Sequence, residues 1–468
     1  MVGSRNSFSR RGFFQSAGAG LTGVALAQLF GSGSAVAATG SASVTHFAPK
    51  AKRVIWLFMH GGPSHLDLFD PKPELKKLAG KPIPPSVGKF ETRRDVARNP
   101  LMPAVRPFKR CGQSGIEISD YLPHIGSLAD ELCVIRSCHG DSVNHPQSVY
   151  QMNTGSTLMG KPSMGSWVSY GLGSENENMP AFVVMPDPGG GLKGGPPAWG
   201  SGFLPATYQG TTLRPGALPI LNLSPSSGMS TGRQRHTLDL VRQLNETHCA
   251  TREEDAQLLA RLQSYELAFR MQSAAPEAVD LGQESEATKA MYGVDQPRTR
   301  EFGTRCLLAR RMIERGVRFV QLYSGNSNGW DAHDDIRGNH GPHCAATDLP
   351  IAGLLRDLKS RGLLEDTLVI WGGEFGRMPM SEKGKGRDHN PWGYTTVLAG
   401  AGVKAGHVHG ATDAFGLRAE QNPVHVSDLH ATILHLLGID HEKLVYRFNG
   451  LDQRLTGVRG EVVRGILV

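Results

Sequence analysis

The sequence lacks several patterns, and each absence removes a class of answer. No Cys-x-x-Cys pair joins its six cysteines, which argues against a structural zinc knuckle. Glycine is abundant (58 residues) but has no three-residue period, so a collagen-like chain is excluded. No heptad run persists, which excludes a coiled coil. No Gly-Lys-Ser/Thr follows the glycine run Gly189–Gly195, so that run is not a phosphate loop. No His-Glu-x-x-His segment is present to support a zincin. Beyond the first forty residues nothing approaches the roughly 20 apolar residues of a bilayer span. The net charge of +7 is partly local, because three arginines and no acid fall within residues 1–38. The remaining positive charges are scattered, which speaks against nucleic acid as a partner.

What is present begins with an address. Ser9-Arg10-Arg11-Gly12-Phe13-Phe14 precedes a mildly apolar stretch from about Ala17 to Phe30 and the small-residue run Ala35-Val36-Ala37-Ala38. That order makes a secretory signal, and its paired arginines resemble a twin-arginine signal. The expectation is therefore a cleaved segment over 1–38 and export by the twin-arginine machinery. A periplasmic or secreted mature protein with no stable membrane span would follow. Such export leaves disulfides and buried free thiols equally open.

The mature chain is long enough for a large core. Nearly uninterrupted apolar runs at Arg53–Met59, Cys133–Arg136, Ala181–Met185, Val317–Tyr323, Thr367–Trp371 and Tyr394–Gly400 read as buried strands. Helical patterns cover Tyr121–Glu131, Thr237–Gln272, Glu301–Glu314, Cys344–Arg361 and Ser427–Leu437. Strands alternating with helices predict one α/β domain over 39–468 with a mostly parallel sheet. Residues 187–236, rich in Gly, Pro and Ser, are expected to form a long surface excursion. In such sheets chemistry lies beyond the carboxyl ends of the strands.

Polar clusters fall where that rule places them. They are His60–Asp70, His139–His145, Asn328–Asp335, Gly372–Arg377 and Arg387–Pro391. Imidazole and carboxylate donors without thiolate suit a hydrolytic divalent centre: zinc, manganese or iron, or calcium where carboxylates dominate. Asp334 and Asp335 are expected to be solvated or to start a helix, Trp330 and Trp392 to form wall or core, and Asp388 to orient a histidine or cap a turn.

At this point the residues resemble a known group. HGGPSHLDLFDPKP, NHPQSVYQMNTG, GWDAHDD, GGEFGR and GRDHNPWG, spread from about Arg53 to His441, look like the domain-of-unknown-function 1501 family, exported and sulfatase-like relatives of the alkaline phosphatase superfamily. The resemblance implies an alkaline-phosphatase-like three-layer α/β/α sandwich with a mostly parallel central sheet. It also implies metal at the strand ends. Carried across residue by residue, it puts His60, Asp331, His333, Glu374 and His389 at the metal positions. His145 stands where the superfamily has its Ser, Thr or Cys nucleophile, open to a role as nucleophile, base or ligand. Ser142, beside Asp141 and His145, is the alternative nucleophile, and Arg377 is expected to clamp an oxyanion. The expected function is a metal-dependent hydrolase of a phosphate or sulfate ester, small or glycan-borne, with a rewired site. The alternative is a non-catalytic metal-containing scaffold that binds sulfated or phosphorylated glycans or a cell-surface partner.

Overall fold

The computed structural model describes residues 45–216, 219, 220, 223, 228–249 and 256–468. The predicted export signal, the middle of the expected Thr237–Gln272 helix and part of the Gly/Pro-rich excursion lie outside them.

Nine strands make the central sheet: β1 (Arg53–Met59), β2 (Leu132–His139), β3 (Phe182–Met185), β4 (Thr211–Thr212), β5 (Phe319–Ser324), β6 (Thr367–Gly372), β7 (Tyr394–Ala399), β8 (His407–His409) and β9 (Val424–His425). Their order is β8-β2-β7-β6-β1-β5-β3-β4, with β9 also paired to β2. All pairings are parallel except those of β7, which runs antiparallel between β2 and β6.

Strand β1 shows why the sheet is covered twice. Side chains alternate across a strand. Ile55, Leu57 and Met59 enter one apolar core, while Val54, Trp56 and Phe58 enter another. Each buried side chain of this size contributes about 1.5–3 kcal/mol. Helices α5 (Arg300–Glu314) and α6 (Ile336–Ser360) cover the first face through Leu307, Ile351 and Leu354. Helices α1 (His145–Thr154), α2 (Met164–Leu172) and α7 (Val426–Leu436) cover the second through Met152, Val168 and Ile433. The result is a three-layer α/β/α sandwich. Two further helices, α3 (Thr231–Cys249) and α4 (Ala256–Val279), stand where one long helix was predicted. The predicted Tyr121–Glu131 helix is reduced to two short turns, Pro123–Gly126 and Ala129–Glu131. Proline at the start of the first turn fixes its entry.

Cys111, Cys133, Cys138, Cys306 and Cys344 are free thiols. Among the described residues, no helix is long and apolar enough to cross a membrane.

Candidate metal centre

The parallel strands deliver their loops to one edge. β1 ends at His60, β2 leads to His145, β5 leads to Asp331 and His333, and β6 leads to Glu374. Because β7 is antiparallel, the residues just before it reach the same edge. A two-stranded ribbon, Gly376–Arg377 against His389–Asn390, holds His389 there. The β5 loop is pinned to β1, since Trp330 N–H donates to the His60 carbonyl at 2.8 Å. Gly329 (φ +56°) makes that approach possible, because a Cβ there would strike the same carbonyl.

Asp331 is the hub. Its Oδ1 lies 3.0 Å from His333 Nε2 and 3.2 Å from His389 Nε2. Those two nitrogens are themselves 3.0 Å apart. Its Oδ2 lies 3.0 Å from His145 Nε2 and accepts from Lys193 Nζ at 2.6 Å. Burial opposes ionisation of Asp331, while the Arg377 guanidinium at 2.8 Å and the Lys193 ammonium at 2.6 Å favour the carboxylate and hold it below the usual range.

The other side of each ring decides what faces the hub. His389 Nδ1 is 2.6 Å from the Val143 carbonyl, which only accepts, so the proton is assigned to Nδ1. By the same chemistry His333 Nδ1 donates to Glu382 Oε2 at 2.5 Å and His145 Nδ1 to Glu374 Oε1 at 2.6 Å. Burial pushes the His389 imidazolium well below its ordinary range, so its Nε2 carries a lone pair. Three Nε2 acceptors therefore converge on a carboxylate, and the lone pairs of His333 and His389, 3.0 Å apart, repel each other unless a cation lies between them. His145 Nε2 is buried and makes no hydrogen bond. Two ligands on one ion, with bonds of about 2.0–2.2 Å, stand roughly 3–3.4 Å apart. The Asp331 Oδ1, His333 Nε2 and His389 Nε2 triangle, at 3.0 to 3.2 Å, fits a divalent ion.

Other predicted site residues are placed differently. Glu374 stands behind His145, accepting from Nδ1 and from Gly61 N–H at 3.0 and 3.1 Å, so it supports a ring rather than reaching the hub. Burial raises the Glu374 carboxyl, and His145 more than offsets this, leaving it lowered. His60 Nε2 accepts from Lys193 N–H at 3.1 Å, so its lone pair is already engaged. Burial lowers the pKa of His60. Arg377 does not face the cleft as expected of an oxyanion clamp. Fully buried, it donates to the carbonyls of Gly61 and Gly62, in the turn after β1, and to the Arg387 carbonyl and Asp331 Oδ1. Ser142 Oγ accepts from Asn144 N–H, and Asp141 turns outward to His425 and Gln151, so no Ser-His-Asp relay forms through His145. Asp388 stands behind His333, with Oδ1 4.0 Å from its Nδ1. Of the expected alternatives, Asp335 takes the helix start, capping α6, and Trp330 is core.

A cleft of about 210 Å³ opens over the hub. Arg93, Arg94 and Lys193 line it with positive charge. Sequence reasoning missed Arg93, Arg94 and Glu382, and read the Gly189–Gly195 run that carries Lys193 only as a flexible loop beside the pocket. Glu382 sits in Ser381-Glu382-Lys383-Gly384-Lys385, whose charges read as a solvated turn.

The family described as "Protein of unknown function (DUF1501)" matches residues 51–467. The chain belongs to this family. No curated protein matches the sequence. Similar solved structures include a phosphonate monoester hydrolase from Silicibacter pomeroyi, at 12% identity and TM-score 0.34, covering 74% of this chain and 71% of that one. A sulfatase from Pseudoalteromonas sp. is 14% identical, with TM-score 0.34 and coverage of 84% and 68%. Alkaline phosphatase from the Antarctic bacterium TAB5 is 9% identical, with TM-score 0.34 and coverage of 84% and 98%.

Proposed function

We propose that this DUF1501 member is a metal-dependent hydrolase of an anionic ester, phosphate or sulfate. The observation that carries the reading is the convergence of Asp331 with the Nε2 atoms of His333 and His389, each ring fixed from behind, beneath a cationic cleft. Asp331, His333 and His389 would hold the ion. A nitrogen-rich set favours zinc, manganese or iron over calcium. When bound, such an ion supplies Lewis acidity that activates water and neutralises charge on a transferring group.

The protein's own residues do the rest. Glu382 and the Val143 carbonyl hold the two imidazoles in the ligating tautomer. Arg377 locks the β1 turn to Asp331. Lys193, Arg93 and Arg94 attract and orient an oxyanion. The reading keeps the Arg10-Arg11 segment as an export address, so the substrate would be met outside the cytoplasm.

The test is elemental analysis of the purified full chain beside an H333A/H389A variant, followed by assays of phosphate and sulfate esters with the metal found. Near-stoichiometric metal that the variant loses, with metal-dependent release of phosphate or sulfate, is expected. Metal without turnover of any ester would favour the non-catalytic scaffold. Absence of metal after reconstitution would end both readings of the centre.

A further inference from the structure

We propose that His145 is the nucleophile and that a phosphate monoester is hydrolysed through a transient phosphoryl group on its Nε2. This rests on the ester-hydrolase reading above.

Four observations carry it. First, His145 Nε2 is buried yet makes no hydrogen bond, although the ring lines the cleft. Its 3.0 Å separation from Asp331 Oδ2 is off the line a hydrogen bond needs. Second, the ring cannot swing. Nδ1 is held by Glu374, which is held in turn by Gly61 N–H. A carboxylate behind Nδ1 raises the electron density at Nε2 and balances the positive charge a phosphorylated imidazole carries. Third, the two oxygens of Asp331 separate two jobs. Oδ1 belongs to the His333–His389 group, while Oδ2 faces His145 and Lys193. Fourth, among the described residues none that lines the cleft is Ser, Thr or Cys, and the Ser142 hydroxyl accepts from Asn144 N–H. The surroundings suit a phosphoryl dianion. His145 opens α1, a ten-residue helix, so its ring stands at the positive end of the helix dipole. Among the described residues Arg93, on the cleft wall, has neither ion pair nor hydrogen bond.

The step balances as follows. The Nε2 lone pair bonds to phosphorus as the ester P–O bond breaks. That bond's electron pair leaves on the alcohol oxygen, which takes a proton from solvent. Water then bonds to phosphorus, the N–P bond breaks, and its pair returns to Nε2. One water proton returns to solvent, and the other leaves with the phosphate.

The experiment uses the full-length, metal-loaded protein with p-nitrophenyl phosphate, quenched rapidly into alkali, where phosphohistidine survives. An acid-labile phosphoryl group on the His145 peptide is expected, with a burst of nitrophenol stoichiometric with protein. H145Q should retain metal and lose turnover by about a thousand-fold or more. If that variant misfolds, the wild type still decides: hydrolysis of a chiral phosphate monoester should retain configuration, because two displacements occur. Turnover with inversion and no adduct would overturn the proposal and leave the ester-hydrolase reading standing. Failure to hydrolyse any ester under any metal would overturn that reading and the proposal with it.

Discussion

Replacing Glu382 by glutamine should weaken cation binding at the Asp331 hub while leaving the fold intact. Glu382 never reaches the hub. It accepts the Nδ1 proton of His333 at 2.5 Å and a bond from Arg94 at 3.1 Å. The amide keeps the shape and one acceptor oxygen but loses the charge that makes Nε2 a stronger donor. Removing such a partner typically costs about 10- to 100-fold in metal affinity, or ~1.4–2.8 kcal/mol. Linkage carries that loss into stability. At a free metal concentration about 1,000 times the wild-type Kd, binding stabilises the native state by about 4.1 kcal/mol. The same concentration would stabilise the variant by only about 2.7 to 1.4 kcal/mol. In EDTA the two proteins should melt almost together, because the Arg94 side chain is 45% exposed and such pairs contribute about 0–1 kcal/mol. Competition with a chromophoric chelator gives Kd, and thermal melts with and without metal give the linked shift. An unchanged Kd would refute the assignment of His333 Nε2 as a ligand held through its far nitrogen.

Three further outcomes follow from the same geometry. Lys193→Ala should weaken competitive inhibition by inorganic phosphate about tenfold or more, since Lys193 is a cleft cation beside Asp331; inhibition kinetics at fixed ionic strength measure it. Asp67→Ala should destabilise the protein by about 3–5 kcal/mol, because it strips a fully buried carboxylate from the fully buried Arg387; urea unfolding measures it. His430 is buried and its pKa is pushed down to about 4 by that burial. The unfolded chain therefore takes up a proton below about 6.5 that the folded chain refuses, and stability is lost as pH falls from about 6.5 toward 4. That window is worth at most about 3 kcal/mol, and His430→Leu in EDTA should flatten the acid slope of the urea midpoint by that share.

The strands were legible because burial on both faces writes itself as uninterrupted apolar runs. Arg53–Met59 is found with the predicted bounds, and β6 and β7 differ by one residue. The Asp331-x-His333 pair and His389 were legible for a related reason. His389 lies on the ribbon itself, and the Asp331 loop, which leaves β5 at Ser324, is pinned back to β1 through Trp330. Distances across the site were not. Glu374 is two residues past β6 and looks like a ligand, yet Gly61 N–H and His145 Nδ1 hold both its oxygens away from the hub. Arg377 looks like an anion clamp, yet it is buried and donates to carbonyls in the turn after β1.

The same limit explains why ligand identity is a tertiary property here. A histidine offers two nitrogens, and the one that faces a cation is chosen by what binds the other. For His389 that partner is the backbone carbonyl of Val143, a residue whose side chain has no chemistry to advertise. For His333 it is Glu382, 49 positions away. For His145 it is Glu374, 229 positions away. The three imidazoles present the same atom to Asp331 only because three unrelated segments, packed beyond the carboxyl edge of one sheet, take the same atom from behind.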